Sequence, residues 1–336
     1  ENYAPIKKIA GKSKGRTEYI GRTIPIMRYL FIGSSEYGLP ALNKLIQNGY
    51  KPSLIISQPA KPAGRNRHII PTPISEFADK QNLPLWTPEN INSEEAIAKI
   101  AKYEAEIIIT AAYGGYFKKN IRCLYPLGTV NLHPSLLPKY RGASPIQSAI
   151  LNGEKETGTT LYKVTAKMDA GPILLQKKLP ILDNETYSEL NERLKQQAAD
   201  LLWDFWKMLL KKQELMPTFQ DESQASYCSK IDNNTCRINW QKTAKEIHNQ
   251  IRAFSLTPGA WTYFRSKKLK ILASEKTKEN TEGEPGLICG WDKNRGFFVN
   301  CLDYKLLITK VQAAGKKVLS ASAFANGARL AAKEKL

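Results

Sequence analysis

The sequence predicts an α/β protein, with an open and mostly parallel sheet followed by a small C-terminal β-barrel. Between residues 27 and 211, short apolar strand patterns alternate with helix patterns. This alternation is typical of parallel strands that are covered by helices on both faces. Residues 259–311 instead hold several short strand patterns, separated by turns rich in Gly, Asn and Lys. Because 336 residues exceed what one hydrophobic core usually covers, we expect two domains.

The parallel part begins at Met27. Its predicted strands are RYLFIG, PSLIIS, LPLW, EIIITAA and GTVNLH. A first helix ends at Gly49, a second runs from Thr72 to about Asn82 with a proline at its first position, and a third follows Ser93. The segment QPAKPAGRNRHIIP lies between the second strand and the second helix. It is too rich in Pro and Gly to predict either a helix or a strand, so we expect a loop.

The later part of this domain ends in a long helix. After a short helix that opens at Ser-Pro, two strands flank the turn KMDAG, which places Asp169 on a tight connection. Thr186 and Glu189 form a capping box for a helix that ends near residue 211. Residues 212–232 are polar and irregular, as an interdomain linker would be. Beyond them, a capped helix AKEIHNQIRAF precedes the barrel strands, and a short helix is predicted near 320–331.

The net charge of +19 is unevenly distributed. Residues 233–336, the expected C-terminal domain, carry 19 Lys+Arg against 8 Asp+Glu, a net charge of +11. Residues 1–26 carry 6 against 2, and we expect a basic appendage without a catalytic role, before a folded domain at 27–211. A basic terminal domain on a nearly neutral body predicts a polyanionic partner. The alternative is a lysine-rich surface that is merely well solvated.

The cysteine pattern and the hydropathy argue against a metal-binding, membrane-spanning or exported protein. The five cysteines are widely spread and include no CxxC pair, which favours a reducing cytoplasmic compartment and predicts no metal site. The longest apolar runs are far shorter than a membrane span, and no leader with a cleavage site is visible. We therefore expect a cytoplasmic protein without a membrane span, and a monomer.

The segment NLHPSLLPKYRGASPI is the predicted reactive loop. In an open α/β sheet, ligands bind beyond the carboxyl ends of the strands. Three predicted loops leave that edge, after Gly33, after Ala112 and at His133. The first of them, GSSEYG, lacks the G-x-G-x-x-G spacing and the later acidic residue of a dinucleotide site, and no P-loop occurs. Nucleotide binding is therefore not predicted.

Asn131, His133 and Asp169 are the candidate catalytic residues. Asn131 and His133 lie two residues apart, on the same face of an extended strand. An asparagine amide donates to a developing oxyanion, and a neutral imidazole takes or gives a proton. A carboxylate such as Asp169 would orient the imidazole or receive a proton through water. This set suits attack of an amine on an activated carbonyl. For Asp169 the residues alone favour a turn-stabilising role, as an Asx-type turn residue in MDAG.

The motifs NLHPSLLPKYRGASPIQ and GTTLYKVTAKMDAGPIL resemble those of the folate-dependent formyltransferases. The resemblance extends over nearly the whole chain from Met27, through AAYG, D-GPIL, EIHNQIRAF and AGKK, and is nearest to the members that act on aminoacylated initiator tRNA. It implies a Rossmann-like catalytic domain and an OB-like C-terminal barrel that helps to hold tRNA. The implied donor is 10-formyltetrahydrofolate, and the implied acceptor is the amino group of methionyl initiator tRNA, for translation initiation.

The resemblance assigns roles to individual residues. It implies that Asn131 stabilises the oxyanion of the tetrahedral intermediate, that His133 polarises the formyl oxygen or accepts the amine proton, and that Asp169 orients His133 and relays the proton. The implied folate-binding segment, and the residues that would border the pterin, are Ser135, Leu136, Leu137, Pro138, Tyr113 and Gly114. The loop QPAKPAGRNR would reach the tRNA acceptor end through Arg65, with Lys61 and Arg67 adding charge. Two plainer roles stay open: Tyr113 packing beneath the loop, and Arg65 as one solvated charge among several.

Three other functions share parts of this pattern. A glycinamide ribonucleotide formyltransferase has the same loop and aspartate, but that family is shorter and lacks a basic C-terminal domain. An amino-sugar formyltransferase is disfavoured by the same charge distribution. An inactive RNA-binding relative is disfavoured because Asn131, His133 and Asp169 are all present.

Overall fold

The computed structural model describes residues 27–63 and 68–336, together with the backbone of 18–19 and 22–23. Two short strands, β1 (Glu18–Tyr19) and β2 (Arg22–Thr23), form an antiparallel pair. The remaining residues of the expected N-terminal appendage lie outside this description. The chain divides into two units, one formed by Glu1–Ala143, Gly158–Leu179 and Arg193–Tyr227, the other by Ser144–Thr157, Pro180–Glu192 and Cys228–Leu336.

Within residues 27–63 and 68–336, eleven further strands lie before the C-terminal sheet. In chain order they are β3 (Tyr29–Gly33), β4 (Leu54–Ile56), β5 (Lys61–Ala63), β6 (His68–Ile70), β7 (Leu85–Trp86), β8 (Ile107–Ala111), β9 (Thr129–His133), β10 (Arg141–Gly142), β11 (Glu156–Lys163), β12 (Ile173–Pro180) and β13 (Tyr227–Cys228). Seven of them form one sheet in the order β12-β11-β9-β8-β3-β4-β7. The pairs β3–β4, β3–β8, β4–β7 and β8–β9 are parallel, and β9–β11 is antiparallel. The predicted α/β class with a mostly parallel sheet is therefore confirmed.

Several of the helices begin at side-chain caps that the sequence provides. The helices are α1 (Leu39–Gln47), α2 (Pro73–Lys80), α3 (Glu94–Ile100), α4 (Lys119–Arg122), α5 (Pro145–Leu151), α6 (Tyr187–Leu210), α7 (Ala244–Phe254) and α8 (Ala321–Ala328). The hydroxyls of Thr72 and Ser93 accept from the backbone N–H groups of Ser75 and Ala96, the third residues of α2 and α3. Thr243 and Glu246 close a reciprocal capping box on α7. These caps account for the agreement between predicted and observed helix starts.

The central strands of the sheet are buried on both faces. Every residue of β3 and β8 is buried, as the continuous apolar runs predict for parallel strands under helices. On one side, the ring of Tyr29 packs edge-on against Trp206 of α6, with ring centroids 5.1 Å apart. Buried packing of this kind fixes the positions of the strand ends, where the polar loops begin.

The loop prediction for the segment from Gln58 to Pro71 was wrong in part. β5 and β6 form a short antiparallel hairpin, with Lys61 opposite Ile70 and Pro62 opposite Ile69. A proline is compatible with this hairpin because each strand has only one partner, so a missing N–H breaks no second ladder. Ile69 is exposed, so the hairpin is held by backbone pairing rather than by core burial.

An antiparallel sheet forms the C-terminal part of the second unit. Its strands are β14 (Ala260–Phe264), β15 (Lys267–Asn280), β16 (Ile288–Asp292), β17 (Gly296–Asn300), β18 (Tyr304–Ala313) and β19 (Leu319–Ser320). The order is β14-β15-β18-β17-β16, with β19 on β18, and the pairs are antiparallel. β15 spans 14 residues, longer than the short strands we expected, and its pairing with β18 is interrupted by register shifts. Such irregularities bend a strand and let a small sheet curve.

Within the described residues, no helix is both long enough and apolar enough to cross a lipid bilayer. The same part of the chain holds no group of three or more His, Cys, Asp or Glu side chains placed to bind a metal ion.

Candidate active site

The polar loops of the first unit meet at the carboxyl edge of the sheet. β3, β4, β8 and β9 run parallel and end at this edge. The hydroxyl of Ser34 accepts from the backbone N–H of Gln58, and the Gln58 side-chain amide donates to the carbonyl of Tyr113 at 3.0 Å. The loops that follow β3, β4 and β8 are therefore bonded to one another, and β9 brings Asn131 and His133 to the same edge.

Asn131 is held by side chains from both neighbouring strands. Thr110 on β8 lies opposite Asn131, and its hydroxyl donates to the Asn131 Oδ1 at 2.7 Å. Tyr162 on β11 is its partner on the other side, and Asn131 Nδ2 donates to the Tyr162 hydroxyl at 3.2 Å. These bonds assign the amide orientation and use one of the two Nδ2 hydrogens.

Tyr162 extends this chain of hydrogen bonds to Asp169. Its hydroxyl donates to Asp169 Oδ1 at 2.6 Å, while the backbone N–H of Gly142 donates to Asp169 Oδ2 at 2.8 Å. Burial raises the pKa of Tyr162 well above its usual range, and the neighbouring Asp169 carboxylate raises it further. The phenol of Tyr162 therefore stays protonated and acts as a hydrogen-bond donor to Asp169.

The imidazole of His133 is oriented through the carbonyl of Tyr140. That carbonyl lies 2.9 Å from Nε2, and a carbonyl only accepts, so Nε2 carries the proton. Asp169 Oδ2 lies 3.8 Å from Nδ1, beyond the range of a direct hydrogen bond. In the neutral ring, Nδ1 therefore carries a lone pair on the side that faces the carboxylate. The predicted orientation of His133 by Asp169 stays a prediction, and Tyr140 is a contact that the sequence did not indicate.

Two non-glycine residues of the site have left-handed backbone conformations. Tyr140 has φ +60° and Asp169 has φ +50°. Such conformations are uncommon outside glycine, less so for aspartate, and persist where surrounding contacts fix them. Here the Tyr140 N–H donates to the Ser226 hydroxyl at 2.9 Å, and the Tyr140 carbonyl accepts from His133.

The predicted folate-binding segment, residues 135–138, is held by hydrogen bonds to side chains of β11 and β12. Thr160 donates to the carbonyl of Ser135 at 2.6 Å and accepts from the backbone N–H of Leu137 at 3.2 Å. Gln176 donates both to the Leu137 carbonyl at 3.1 Å and to the Thr160 hydroxyl at 2.7 Å. The Ser135 hydroxyl itself donates to the carbonyl of Lys139 at 2.6 Å, which closes the turn. The segment is thereby a preformed surface.

The side chains of the predicted folate residues differ in exposure. Ser135 and Leu137 are buried, whereas Leu136 and Pro138 are partly exposed at the strand end. Tyr113 is buried against Phe117, with stacked rings 5.4 Å apart, as expected for a residue that packs beneath the loop.

The adjoining Gly114 is exposed, with φ +76°, and offers backbone groups at this edge. Of the predicted tRNA-contacting residues, Lys61 is exposed and donates to Gln58 Oε1 at 2.8 Å. Arg65 and Arg67 lie outside the described residues.

The expected linker contributes to this site. Thr218 pairs with Ile173 at the start of β12. Beyond it, Gln220 and Glu222 both accept from the guanidinium of Arg141, which is 0% exposed. The hydrogen bond with the Glu222 carboxylate raises the pKa of Arg141. A polar, irregular stretch gave no sequence signal for these contacts.

Comparison with known proteins gives two domain families in succession. Residues 27–205 match the formyl transferase family, and residues 230–329 match the formyl transferase C-terminal domain family. The chain is 36% identical to the methionyl-tRNA formyltransferase of Thermotoga maritima over 294 residues, which cover 88% of this chain and 93% of that protein. It is 37% identical to the methionyl-tRNA formyltransferase of Bartonella quintana, over 90% of this chain and 98% of that protein.

A solved structure supports the fold at lower identity. The N-formyltransferase of Helicobacter canadensis, in complex with folinic acid and dTDP-3-aminofucose, superposes with a TM-score of 0.64. It is 23% identical in sequence, and the match covers 86% of this chain and the whole of that one. At this identity the similarity concerns the fold.

Proposed function

The chain belongs to the methionyl-tRNA formyltransferase family, and from that membership we propose that it transfers the formyl group of 10-formyltetrahydrofolate to the amino group of methionyl initiator tRNA. The observation that carries the proposal is the hydrogen-bonded set of Asn131, Tyr162 and Asp169 beside His133, at the sheet edge where ligands bind in this fold. The relatives carry the name of this activity, and the chain matches them over nearly their full length. We propose a cytoplasmic location, where the product formylmethionyl-tRNA would serve translation initiation.

The reaction begins with attack of the free amine on the formyl carbon. A C–N bond forms, and the carbonyl electron pair moves onto oxygen to give a tetrahedral oxyanion. The second Nδ2 hydrogen of Asn131 is the donor for this oxyanion, since Thr110 and Tyr162 already fix the amide plane. A donor fixed in advance needs no rearrangement as charge develops, and one such donor contributes roughly 10²–10³ in rate.

The attacking nitrogen must then lose a proton. His133 Nδ1 is the acceptor, because Nε2 keeps its hydrogen on the Tyr140 carbonyl. The imidazolium that forms lies beside the Asp169 carboxylate, 3.8 Å away, which stabilises the positive charge. Collapse of the intermediate breaks the bond to N10 of the folate, and the proton held at the site neutralises that nitrogen. The products are formylmethionyl-tRNA and tetrahydrofolate.

The donor and the acceptor use different surfaces in this proposal. The preformed segment of Ser135, Leu136, Leu137 and Pro138 holds the folate, with backbone groups of Tyr113 and Gly114 beside the pterin. The solved N-formyltransferase with bound folinic acid supports a folate donor for this fold. Lys61, Arg65 and Arg67 contact the acceptor end of the tRNA, and the basic residues of 233–336 hold its body through phosphate contacts.

The proposal is tested by steady-state formylation of methionyl initiator tRNA with 10-formyltetrahydrofolate. We expect the wild-type protein to form formylmethionyl-tRNA and His133→Ala to lose at least about 10²-fold in kcat with its fold retained. The lost proton acceptor is the reason. Unchanged kcat in His133→Ala would contradict the assigned role. The absence of any formylmethionyl-tRNA from the wild-type reaction would reject the proposed function itself.

A further inference from the structure

Gln220 is fully hydrogen-bonded between Arg141 and the turn that carries Asp169. Its Oε1 accepts from Arg141 Nε at 3.1 Å and from Arg141 NH2 at 2.8 Å. Its Nε2 donates to the carbonyl of Asp169 at 2.8 Å and to that of Gly171 at 2.7 Å. Both donors and both acceptor positions of one amide are thus in use. The reversed amide would set its N–H groups against a guanidinium and its oxygen against two carbonyls, so the assignment is unambiguous.

Arg141 is itself fixed from several directions. Its guanidinium bonds to both carboxylate oxygens of Glu222, at 2.8 and 3.2 Å, and to the hydroxyl of Tyr227 at 3.2 Å. Its backbone N–H donates to the carbonyl of Ser226 at 2.8 Å. A buried guanidinium with a bidentate carboxylate partner is a rigid anchor. Gln220 therefore connects the catalytic turn to a fixed point.

The turn needs such an anchor because of its conformation and exposure. Asp169 has φ +50°, and the preceding residue, Met168, is 60% exposed. A left-handed residue on a solvent-facing turn has other backbone conformations within reach, each of which would move the carboxylate away from Tyr162 and Gly142. The two carbonyls that Gln220 holds lie at Asp169 and two residues later, so they fix the turn at the point where its carboxylate is directed.

We propose that Gln220 is a positioning residue for formyl transfer, which acts by holding Asp169 in its catalytic orientation. The inference rests on the proposed function of Asp169 and extends the site into residues 218–227, the stretch that the sequence indicated only as a linker. Displacement of a catalytic group by about 1 Å is enough to lower a rate by about 10²-fold. Gln220 touches neither reacting atom in this scheme and has no direct part in binding.

The test compares two substitutions at Gln220. Gln220→Glu keeps an acceptor for Arg141 but turns an oxygen toward the carbonyls of Asp169 and Gly171. Gln220→Met has similar volume and makes none of the four bonds. We expect both to lower kcat by about 10²-fold, with KM for folate and tRNA within about threefold of wild type. Gln197→Ala is the control. It removes the hydrogen bond from the Gln197 side-chain amide to the Lys178 carbonyl in the same unit and should keep kcat within twofold.

A double-mutant cycle separates positioning from a structural role. If Gln220 acts through Asp169, Gln220→Met should cost less than about threefold in the Asp169→Asn background, although it costs about 10²-fold alone. Equal losses in both backgrounds, or a kcat within twofold of wild type in both Gln220 variants, would overturn the inference.

Hydrogen exchange tests the inference without an activity assay, so it applies even if a variant folds poorly or the acceptor differs from the proposed one. Amides of residues 166–171 should exchange at least about tenfold faster in Gln220→Met and at the wild-type rate in Gln197→Ala. Unchanged exchange would overturn the inference whatever the acceptor is. Failure of the wild-type protein to formylate methionyl-tRNA, with faster exchange in Gln220→Met, would instead reject the proposed function alone.

Discussion

The side-chain amide of Asn131 donates to the hydroxyl of Tyr162, 3.2 Å away, where strands β9 and β11 pair. The same hydroxyl donates to Asp169 at 2.6 Å, so one phenol connects the Asn131 amide, the proposed oxyanion donor, to the carboxylate. Burial and the adjacent carboxylate raise the pKa of Tyr162, which keeps the phenol protonated. Asn131 and Asp169, two of the three proposed catalytic residues, are therefore connected through Tyr162, a residue that takes no proton in the proposed reaction.

Tyr162→Phe should lower kcat by roughly 10–100-fold with little change in either KM. The substitution removes the hydroxyl that connects Asn131 to Asp169, and the Asp169 carboxylate loses one hydrogen-bond donor. Both side chains can then leave the orientation proposed for catalysis. Steady-state formylation measures the effect. Tyr125→Phe is the matched control, because its buried hydroxyl bonds to two carbonyls, each at 2.8 Å, away from the site. That control should lose about 1 kcal/mol of unfolding free energy and no activity. Equal kcat in Tyr162→Phe and wild type would contradict the bridging role.

Thr160→Val should raise KM for 10-formyltetrahydrofolate by about tenfold and change kcat less. The hydroxyl bonds to Ser135, Leu137 and Gln176, and its loss frees the segment proposed to hold the folate. Initial rates at varied folate concentration measure this. The control is Thr157→Val on the same strand, since the Thr157 hydroxyl has no hydrogen-bond partner among the described residues. A Thr160→Val variant whose folate KM matches that of Thr157→Val would refute the assignment of this segment.

The double variant of Lys316→Gln and Lys317→Gln should weaken tRNA binding and reduce its salt dependence. Both lysines are exposed in the turn between β18 and β19. For each phosphate contact that is lost, the slope of log affinity against log salt should become shallower by about 1. Binding titrations over a range of salt concentrations test this. Lys335→Gln is the comparison, because Lys335 is 3.1 Å from the Glu284 carboxylate. An unchanged slope in the double variant would contradict a phosphate contact there.

The second unit should lose stability in mild acid through His248. Burial lowers the pKa of His248 to about 4, and the positive charges of Arg252 and Lys276 act in the same direction. Below about pH 6.5 the unfolded chain takes up a proton that the folded chain excludes down to about pH 4. The unfolding free energy therefore falls as the pH falls through this window, by on the order of 3 kcal/mol from this group.

Denaturant unfolding between pH 7 and pH 4 measures the dependence, with His248→Asn as the comparison. Asparagine retains a polar group near the Ser274 hydroxyl, which lies 3.0 Å from His248 Nδ1, and does not titrate in this range. We expect a shallower pH dependence in His248→Asn. Identical slopes in the variant and the wild-type protein would contradict the prediction, because they would show that folding leaves the pKa of His248 unchanged.

The fold was largely predictable because its signals are local. Alternating strand and helix patterns gave the parallel sheet, and side-chain caps such as Thr72 and Thr243 gave the helix starts. The place of Asn131 and His133 at the sheet edge was predictable because a polar, proline-rich loop after an apolar strand is unusual, and their catalytic roles stay predictions. The short hairpin of β5 and β6 was missed because its pairing depends on backbone geometry rather than on apolar periodicity.

The rest of the site depends on register and on distant segments. Thr110 and Tyr162 serve Asn131 only because their strands pair with β9 at one particular register, which no local pattern specifies. A tyrosine and a threonine inside buried strands were weak signals of it. Gln220 comes from an irregular segment 51 positions after Asp169 in the chain, and a single sequence does not indicate such a contact.

The proposed function is tested most directly by asking which acceptor receives the formyl group. Initial rates with 10-formyltetrahydrofolate should be compared for methionyl initiator tRNA, methionyl elongator tRNA and glycinamide ribonucleotide, at equal acceptor concentrations. We predict rapid formylation of the initiator tRNA, slower formylation of the elongator tRNA and none of the glycinamide ribonucleotide. Transfer to glycinamide ribonucleotide without transfer to the charged initiator tRNA would contradict the proposed function.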